Sequence, residues 1–313
     1  MFTPWADQTF RLTYGEAYRA PPIIPTDAYN FVSATARNIG NTRGFRITDS
    51  LGVFLRDIGR LVPETNKTWE LGYKAVLGAR LFVDFTVYQS TFINFISGGL
   101  VVADGPTLTK TRAYDPVTGA LHADAAGNPV RVTSYFNLGE GVADGIDAST
   151  RFYFTDHLAI SSTMSFSKLD TLKVKPTDPK DAGQFNASSN RMSLSLDLTE
   201  VPKNLNVSTT VRYSNAYTFR SGVAWGVVPS FGTFGLSASY KVPRHSTTFT
   251  IQGQNLAACF GGTFAPPVTG FSASSQGTYT KGRECGFGLR HLEALSMPTL
   301  GTMVFVGVRR EWK

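Results

Sequence analysis

The stretch NRMSLSLDLTEVPKNLNVSTTVRYS, residues 190–214, carries the fold. Met192, Leu194, Leu196 and Leu198 alternate with Ser193, Ser195, Asp197 and Thr199. After a break at Glu200–Asn204, Val207, Val211 and Tyr213 alternate with Ser208, Thr210 and Arg212. A period of two is the mark of a β-strand whose two faces meet different surroundings. The pattern recurs in TWELGYKA, where Trp69, Leu71, Tyr73 and Ala75 oppose Thr68, Glu70, Gly72 and Lys74. Past an LGAR turn, Leu81, Val83, Phe85 and Val87 oppose Asp84 and Thr86, and Phe234, Leu236, Ala238 and Tyr240 repeat it again. Helix-period stretches of useful length are lacking, so the pattern predicts an all-β chain of about ten antiparallel strands.

Composition narrows the class. Charged residues make up 17% of the 313 positions, against roughly 25% in an ordinary soluble domain. Hydrophobic content is 42%, too high for a disordered chain, yet no run approaches the ~18 apolar residues of a membrane-spanning helix. The net charge of +7 is scattered, with Arg309-Arg310 the longest basic pair, so nucleic acid is not an expected partner. His122, His157, His245 and His291 lack ligand spacing. No nucleophile elbow, phosphate loop or dinucleotide fingerprint is present. No metal, cofactor or catalytic residue is assigned, and the chain is not read as an enzyme.

The connections carry a second signal. Short turns near Gly78-Ala79, Thr155–His157, Glu200–Asn204 and Val242–His245 alternate with long polar segments, roughly Gly15–Pro63, Ser97–Arg131, Lys173–Ser189, Thr218–Ser230 and Asn255–Pro298. In an up-and-down meander all the long loops emerge at one end. That arrangement fits an outer-membrane barrel, with short periplasmic turns and longer extracellular loops. Alternation alone leaves open which face is inside. The hydroxyl- and amide-rich face (Ser161, Thr163, Ser165; Thr250, Gln252, Gln254) suits a wet lumen. Phe154, Tyr240 and Trp312, at the short-turn ends, suit a membrane interface. A soluble β carbohydrate-binding domain would instead bury the Leu194/Leu196 face between two sheets.

Several stretches resemble one family. RLTYGEAYRAPP (residues 11–22) looks like the strand and loop of TonB-dependent outer-membrane receptors, and PETNKTWELGYKAVLGARLFVDFTVYQSTFINFI (63–96) resembles their Pro-Glu…Glu-Leu-Gly-x-Lys hairpin. YFNLGEGVADGIDASTRFYFTDHLAISSTMSFSKLD (135–170) looks like their Asn-x-Gly…Gly-hydrophobic-acid strand and the one after it. QGQNLAACFGG is similar to the penultimate strand, although Ala257-Ala258 departs from its aromatic-acidic pair. MPTLGTMVFVGVRREW resembles the closing strand, with Lys313 following the terminal aromatic Trp312. The resemblance covers residues 1–313 as the carboxy-terminal part of a transmembrane β-barrel. It implies about the last ten strands, without the plug or the first half of the barrel. The start, MFTPWADQTF, lacks a signal peptide's charged head and apolar stretch.

The family implies location in the outer membrane of a Gram-negative cell and contact with its lipid bilayer. It also implies energy-coupled uptake of a scarce extracellular ligand such as a siderophore, cobalamin or oligosaccharide. A TonB-type complex would engage only through the plug, so residues 1–313 are not expected to transport alone. The runner-up is a self-contained ten-stranded barrel acting as a surface enzyme or adhesin, with an acid–His set around Asp115, Asp124 and His122. Ligand capture is expected from Arg19, Arg37, Arg43 and Arg46 in the first long loop and Tyr114, His122 and Arg131 in the second, because guanidinium forks suit anionic ligands. Glu70, Lys74, Asp84, Asp147 and Arg151 are read as lumen charges. Cys259 and Cys285, placed in the last long loop, form either a disulfide that shapes it or two free thiols.

Overall fold

The computed structural model describes residues 1–21, 29–33, 36–96, 100–104, 111–174, 187–220, 225–265, 278–290 and 300–311. His291, Trp312 and Lys313 lie outside them. Twelve strands build the principal sheet: β1 (Phe2–Trp5), β2 (Gln8–Arg19), β3 (Glu64–Leu77), β4 (Leu81–Ile93), β5 (Gly139–Tyr153), β6 (Leu158–Val174), β7 (Asn190–Thr199), β8 (Leu205–Ser214), β9 (Phe231–Val242), β10 (Thr247–Ala265), β11 (Thr278–Phe287) and β12 (Met303–Arg310). Each pairs antiparallel with its sequence neighbour from β1 through β11, while β12 pairs with β10. No ladder joins β1 to β11 or β12 among the described residues.

β10 explains the one departure from simple order. Its lower half, Thr247–Gln254, pairs with β12, and its upper half, Ala257–Ala265, pairs with β11. The closing strand is thus in two pieces, one above the other on a single neighbour. The chain leaves and re-enters the wall beside Asn255, which has positive φ. Its amide donates to the Gly301 carbonyl, and its own carbonyl accepts from the Thr302 hydroxyl at 2.8 Å. The sequence reading of Asn255–Pro298 as loop is therefore corrected: Gly and Ala, poor strand formers, hid a strand that extends to Ala265.

Register puts the predicted faces where alternation placed them. Leu194 pairs with Val211 and Val211 with Phe234 across three strands. Leu194, Leu196 and Val211 are 48%, 41% and 48% exposed, and Phe234 is half-buried. This apolar face is not sealed beneath a second sheet, which removes the soluble-sandwich alternative. Behind it, hydroxyls zip neighbouring strands together: Thr163 to Ser193 at 2.7 Å, Ser195 to Thr210 at 2.9 Å and Thr68 to Ser90 at 2.8 Å.

The packed hydrophobic core lies elsewhere. Phe45, Ile47, Val102, Val132, Phe136 and Leu138 are all but inaccessible, and all come from the two longest connections, not the wall. Those connections, read as polar loops, instead fold into two small sheets. Phe45–Thr48 pairs with Phe54–Ile58 and Arg112–Tyr114; Ala36–Ile39 pairs with Tyr29–Ser33 and, in parallel, with Arg131–Ser134, which also pairs with Leu100–Ala103. Strands from residues 20–63 and 94–138 interleave, so the two loops make one unit. Strands β3 to β6 run 13 to 17 residues, beyond the ~9–11 that cross a bilayer, and their far ends support it.

If the outward face meets hydrocarbon, Leu194→Arg is expected to cost about 2–4 kcal/mol in lipid, and Ser193→Arg on the opposite face far less. Refolding into vesicles, read by heat-modifiable migration, checks this.

Candidate ligand-binding loop layer and lumen

The motifs that singled out the chain meet in space. Arg19 of GEAYRAPP lies directly across from Glu64 of PETNK, and its guanidinium donates to the Glu64 carboxylate at 2.8 Å. Glu64 is buried, and the same oxygen accepts the backbone N–H of Ile96 at 2.8 Å. One carboxylate therefore ties β2, β3 and the exit of β4 together. Asn137 of YFNLGEG adds a second tie: it accepts the Val62 N–H and donates to the carbonyls of Val62 and Asn94. Buried Asn41 is the third, donating to the carbonyls of Gly59 and Tyr135 and accepting the Gly44 N–H. Each bonds at both donor and acceptor, as burial of an amide demands.

The expected ligand-capturing residues divide on this geometry. Arg19 is held by Glu64, and Arg37 is buried in the small parallel ladder. Arg43 reaches Asp115 at 3.3 Å and Arg46 reaches Asp57 at 3.4 Å, with both guanidinium side chains more than half exposed. Tyr114 and Arg131 lie on the two small sheets and are partly exposed. His122 stacks against Phe45, ring centroids 5.6 Å apart, and its Nε2 finds no partner among the described residues. Asp115 accepts the N–H groups of Val117 and Thr118, and Asp124 those of Ala126 and Asn128. Each carboxylate closes its own turn, and those bonds hold both below the ordinary carboxylate range.

The inner face of the wall holds a trough of about 740 Å³. Three carboxylates, Glu70, Asp84 and Asp147, share it with three guanidiniums, Arg11, Arg191 and Arg212, which sequence reasoning missed. The motif glycines account for Arg11. A Cβ at Gly72, in ELGYK, would collide with the Arg11 side chain lying across it. Arg11 then donates to the Thr86 hydroxyl at 2.8 Å. Gly145 leaves the same room for the Tyr88 ring. Nearer the short turns, Arg151 pairs with Asp197 at 3.1 Å, and the Lys74 ammonium sits 5.2 Å from the Phe82 ring centre.

Cys259 and Cys285 are directly opposed in the β10–β11 ladder and joined by a disulfide. They sit in the wall, not in the loop where the sequence reading put them. Phe154 and Tyr240 are exposed beside the short turns, with Phe154 edge-on to Phe152 at 4.8 Å.

Residues 1–256 match the family model described as TonB dependent receptor-like, beta-barrel. The chain belongs to this family. Its barrels are outer-membrane proteins of Gram-negative bacteria and serve as transporters. Among solved structures it is similar to a ferric enterobactin receptor of Pseudomonas aeruginosa in complex with enterobactin (TM-score 0.57, 14% identity), covering 98% of this chain and 39% of that one. It is also similar to the siderophore receptors PirA of Acinetobacter baumannii (TM-score 0.52, 13% identity, 97% and 40% covered) and of Pseudomonas aeruginosa (TM-score 0.50, 14% identity, 81% and 37% covered). At such identities the likeness is one of fold. The chain spans about two-fifths of the length of these receptors. No curated protein matches it in sequence.

Two outcomes follow. Glu64→Ala strands the Ile96 N–H and frees Arg19, at a cost of about 1–3 kcal/mol. Limited proteolysis is expected to attack the loop layer sooner while the wall persists. Burial lowers the His122 pKa from 6.5, against a partial opposing pull from Asp115. The unfolded layer therefore takes up a proton that the folded layer resists, so stability is expected to fall as pH drops below about 6.5. His122→Phe should remove that step, and the contribution of Asp115 and Asp124 should disappear only as pH falls below their ordinary value of 3.8.

Proposed function

We propose that the chain supplies the carboxy-terminal wall and part of the external binding surface of a receptor for an anionic iron chelate of the siderophore class. The observation that supports this most is the core-stabilised loop layer. It holds Arg46, Arg131 and Tyr114 on small sheets above a polar-faced wall, with Arg43 in the bend that leads into one of them. A guanidinium has five donors, and an exposed pair to Asp115 or Asp57 leaves most of them for a catecholate or carboxylate. Of the solved receptors named above, one is a ferric enterobactin receptor in complex with enterobactin and two are siderophore receptors, which agrees with that chemistry. Cobalamin and neutral oligosaccharides fit an arginine-bearing surface less well.

In this reading the loop layer captures the chelate, and passage follows the polar inner face. A plug bears on the Glu70–Asp84–Asp147 and Arg11–Arg191–Arg212 trough, and a TonB-type partner drives release. The full-length receptor, expressed in a host lacking its own chelate receptors, is expected to support growth on a ferric catecholate. In binding measurements the triple variant Arg43→Ala, Arg46→Ala, Arg131→Ala should weaken affinity at least ten-fold, since each charge-assisted bond contributes about 1.5–3 kcal/mol. Unchanged affinity, or a preference for cobalamin or a neutral glycan, would overturn the assignment.

A further inference from the structure

The hairpin rim opposite the loop layer is unevenly charged. Four of its turns carry little: Asp7 in the first, Arg80 in the second, Asp156 with His157 in the third, Glu200 with Lys203 in the fourth. The fifth, between β9 and β10, differs. Lys241, Arg244, Arg309 and Arg310 gather there with His245, against the single carboxylate of Glu311. The fold makes this cluster. β12 returns antiparallel to β10, so Arg310 pairs with Thr247 and Arg309 with Thr248, and the Glu311 N–H closes onto the Ser246 carbonyl at 2.9 Å. Segments some sixty residues apart in sequence thus share one short arc of rim.

Register then divides the cations. Tyr240, Phe249 and Val308 form one outward row across β9, β10 and β12, and all three are exposed. The next outward row is Val242, Thr247 and Arg310, and beyond it the turn carries exposed Arg244 and His245. Lys241 and Arg309 fall on the inward row, where Arg309 pairs with Glu311 at 3.5 Å. Two residues of strand are roughly 7 Å. Arg310 therefore lies one outward row beyond the aromatic row, where a long side chain can run its stem along apolar surface and carry its charge to the headgroup plane.

We propose that this arc, with Arg244 and Arg310 as its outward cations, is a binding site for anionic phospholipid headgroups in the leaflet that faces the short turns. The cations sit at headgroup depth, flanked by two interfacial rings, and the matching charge is a lipid phosphate. Guanidiniums suit it because they bond two phosphate oxygens at once. Arg80 and Lys203, on turns without such a cluster, serve as internal controls.

The proposal rests on the wall spanning a bilayer, so the experiment separates the two. The full-length receptor, and its variants Arg244→Gln/Arg310→Gln and Arg80→Gln/Lys203→Gln, are first folded into neutral phosphatidylcholine vesicles. Failure of all three to fold there overturns the wall itself. Lipid retention is then read by native mass spectrometry in neutral detergent with added cardiolipin. About five-fold weaker retention per arginine removed, some 25-fold for Arg244→Gln/Arg310→Gln and little change for Arg80→Gln/Lys203→Gln, supports the site. Equal loss in both pairs, no loss in the first, or tighter retention of the phosphates of lipid A than of cardiolipin overturns it.

Discussion

Everything in this molecule follows from a sheet whose apolar side faces outward. In lipid no water can satisfy a backbone group, so each strand must find its hydrogen bonds in its neighbours. The continuous antiparallel ladder from β1 to β11 does this for the strands inside the sheet, with β12 filling the lower half of the place that β11 leaves. Side chains such as Leu194, Val211 and Ile251 contribute no protein core. In the outer-membrane setting of this family their stabilisation would come from hydrocarbon, and the wall would depend on its surroundings as a soluble sheet does not.

The dry core that a protein of this size would ordinarily bury is displaced into the loop layer. Phe45, Ile47, Val132 and Phe136 pack there at the far ends of the long strands. Glu64 fastens that layer to the wall, and Asn41 and Asn137 join its two connections to each other. The binding residues proposed for this layer would be held by packing, which lowers the ordering cost when a ligand arrives.

Alternation made the wall legible, because successive residues from Met192 to Leu198 fall on opposite faces, one apolar and one polar. Short turns such as Glu200–Asn204 were equally clear. The loop layer was not. Its strands are three to five residues long, too short for a period, and its ladders join residues 36–39 to 131–134 across about ninety positions. The upper half of β10 was hidden by Ala257, Ala258, Gly261 and Gly262, and with it the true setting of Cys259. Arg11 escaped notice because its role depends on the missing Cβ of Gly72 on another strand. The Arg19 ion pair with Glu64, 45 residues away, is one that only the folded register reveals.

The inner face adds hydroxyl pairs that bind strand to strand and opposed charges that line a trough of about 740 Å³. Both features fit the family's outer-membrane setting, in which this face would enclose space while the other touches acyl chains. A fluorescent amino acid placed at position 196, and separately at 195, in the protein reconstituted with lipids brominated on their acyl chains measures this directly. Strong quenching at 196 with little at 195 is the expected result; equal quenching at the two, or none at 196, would contradict it.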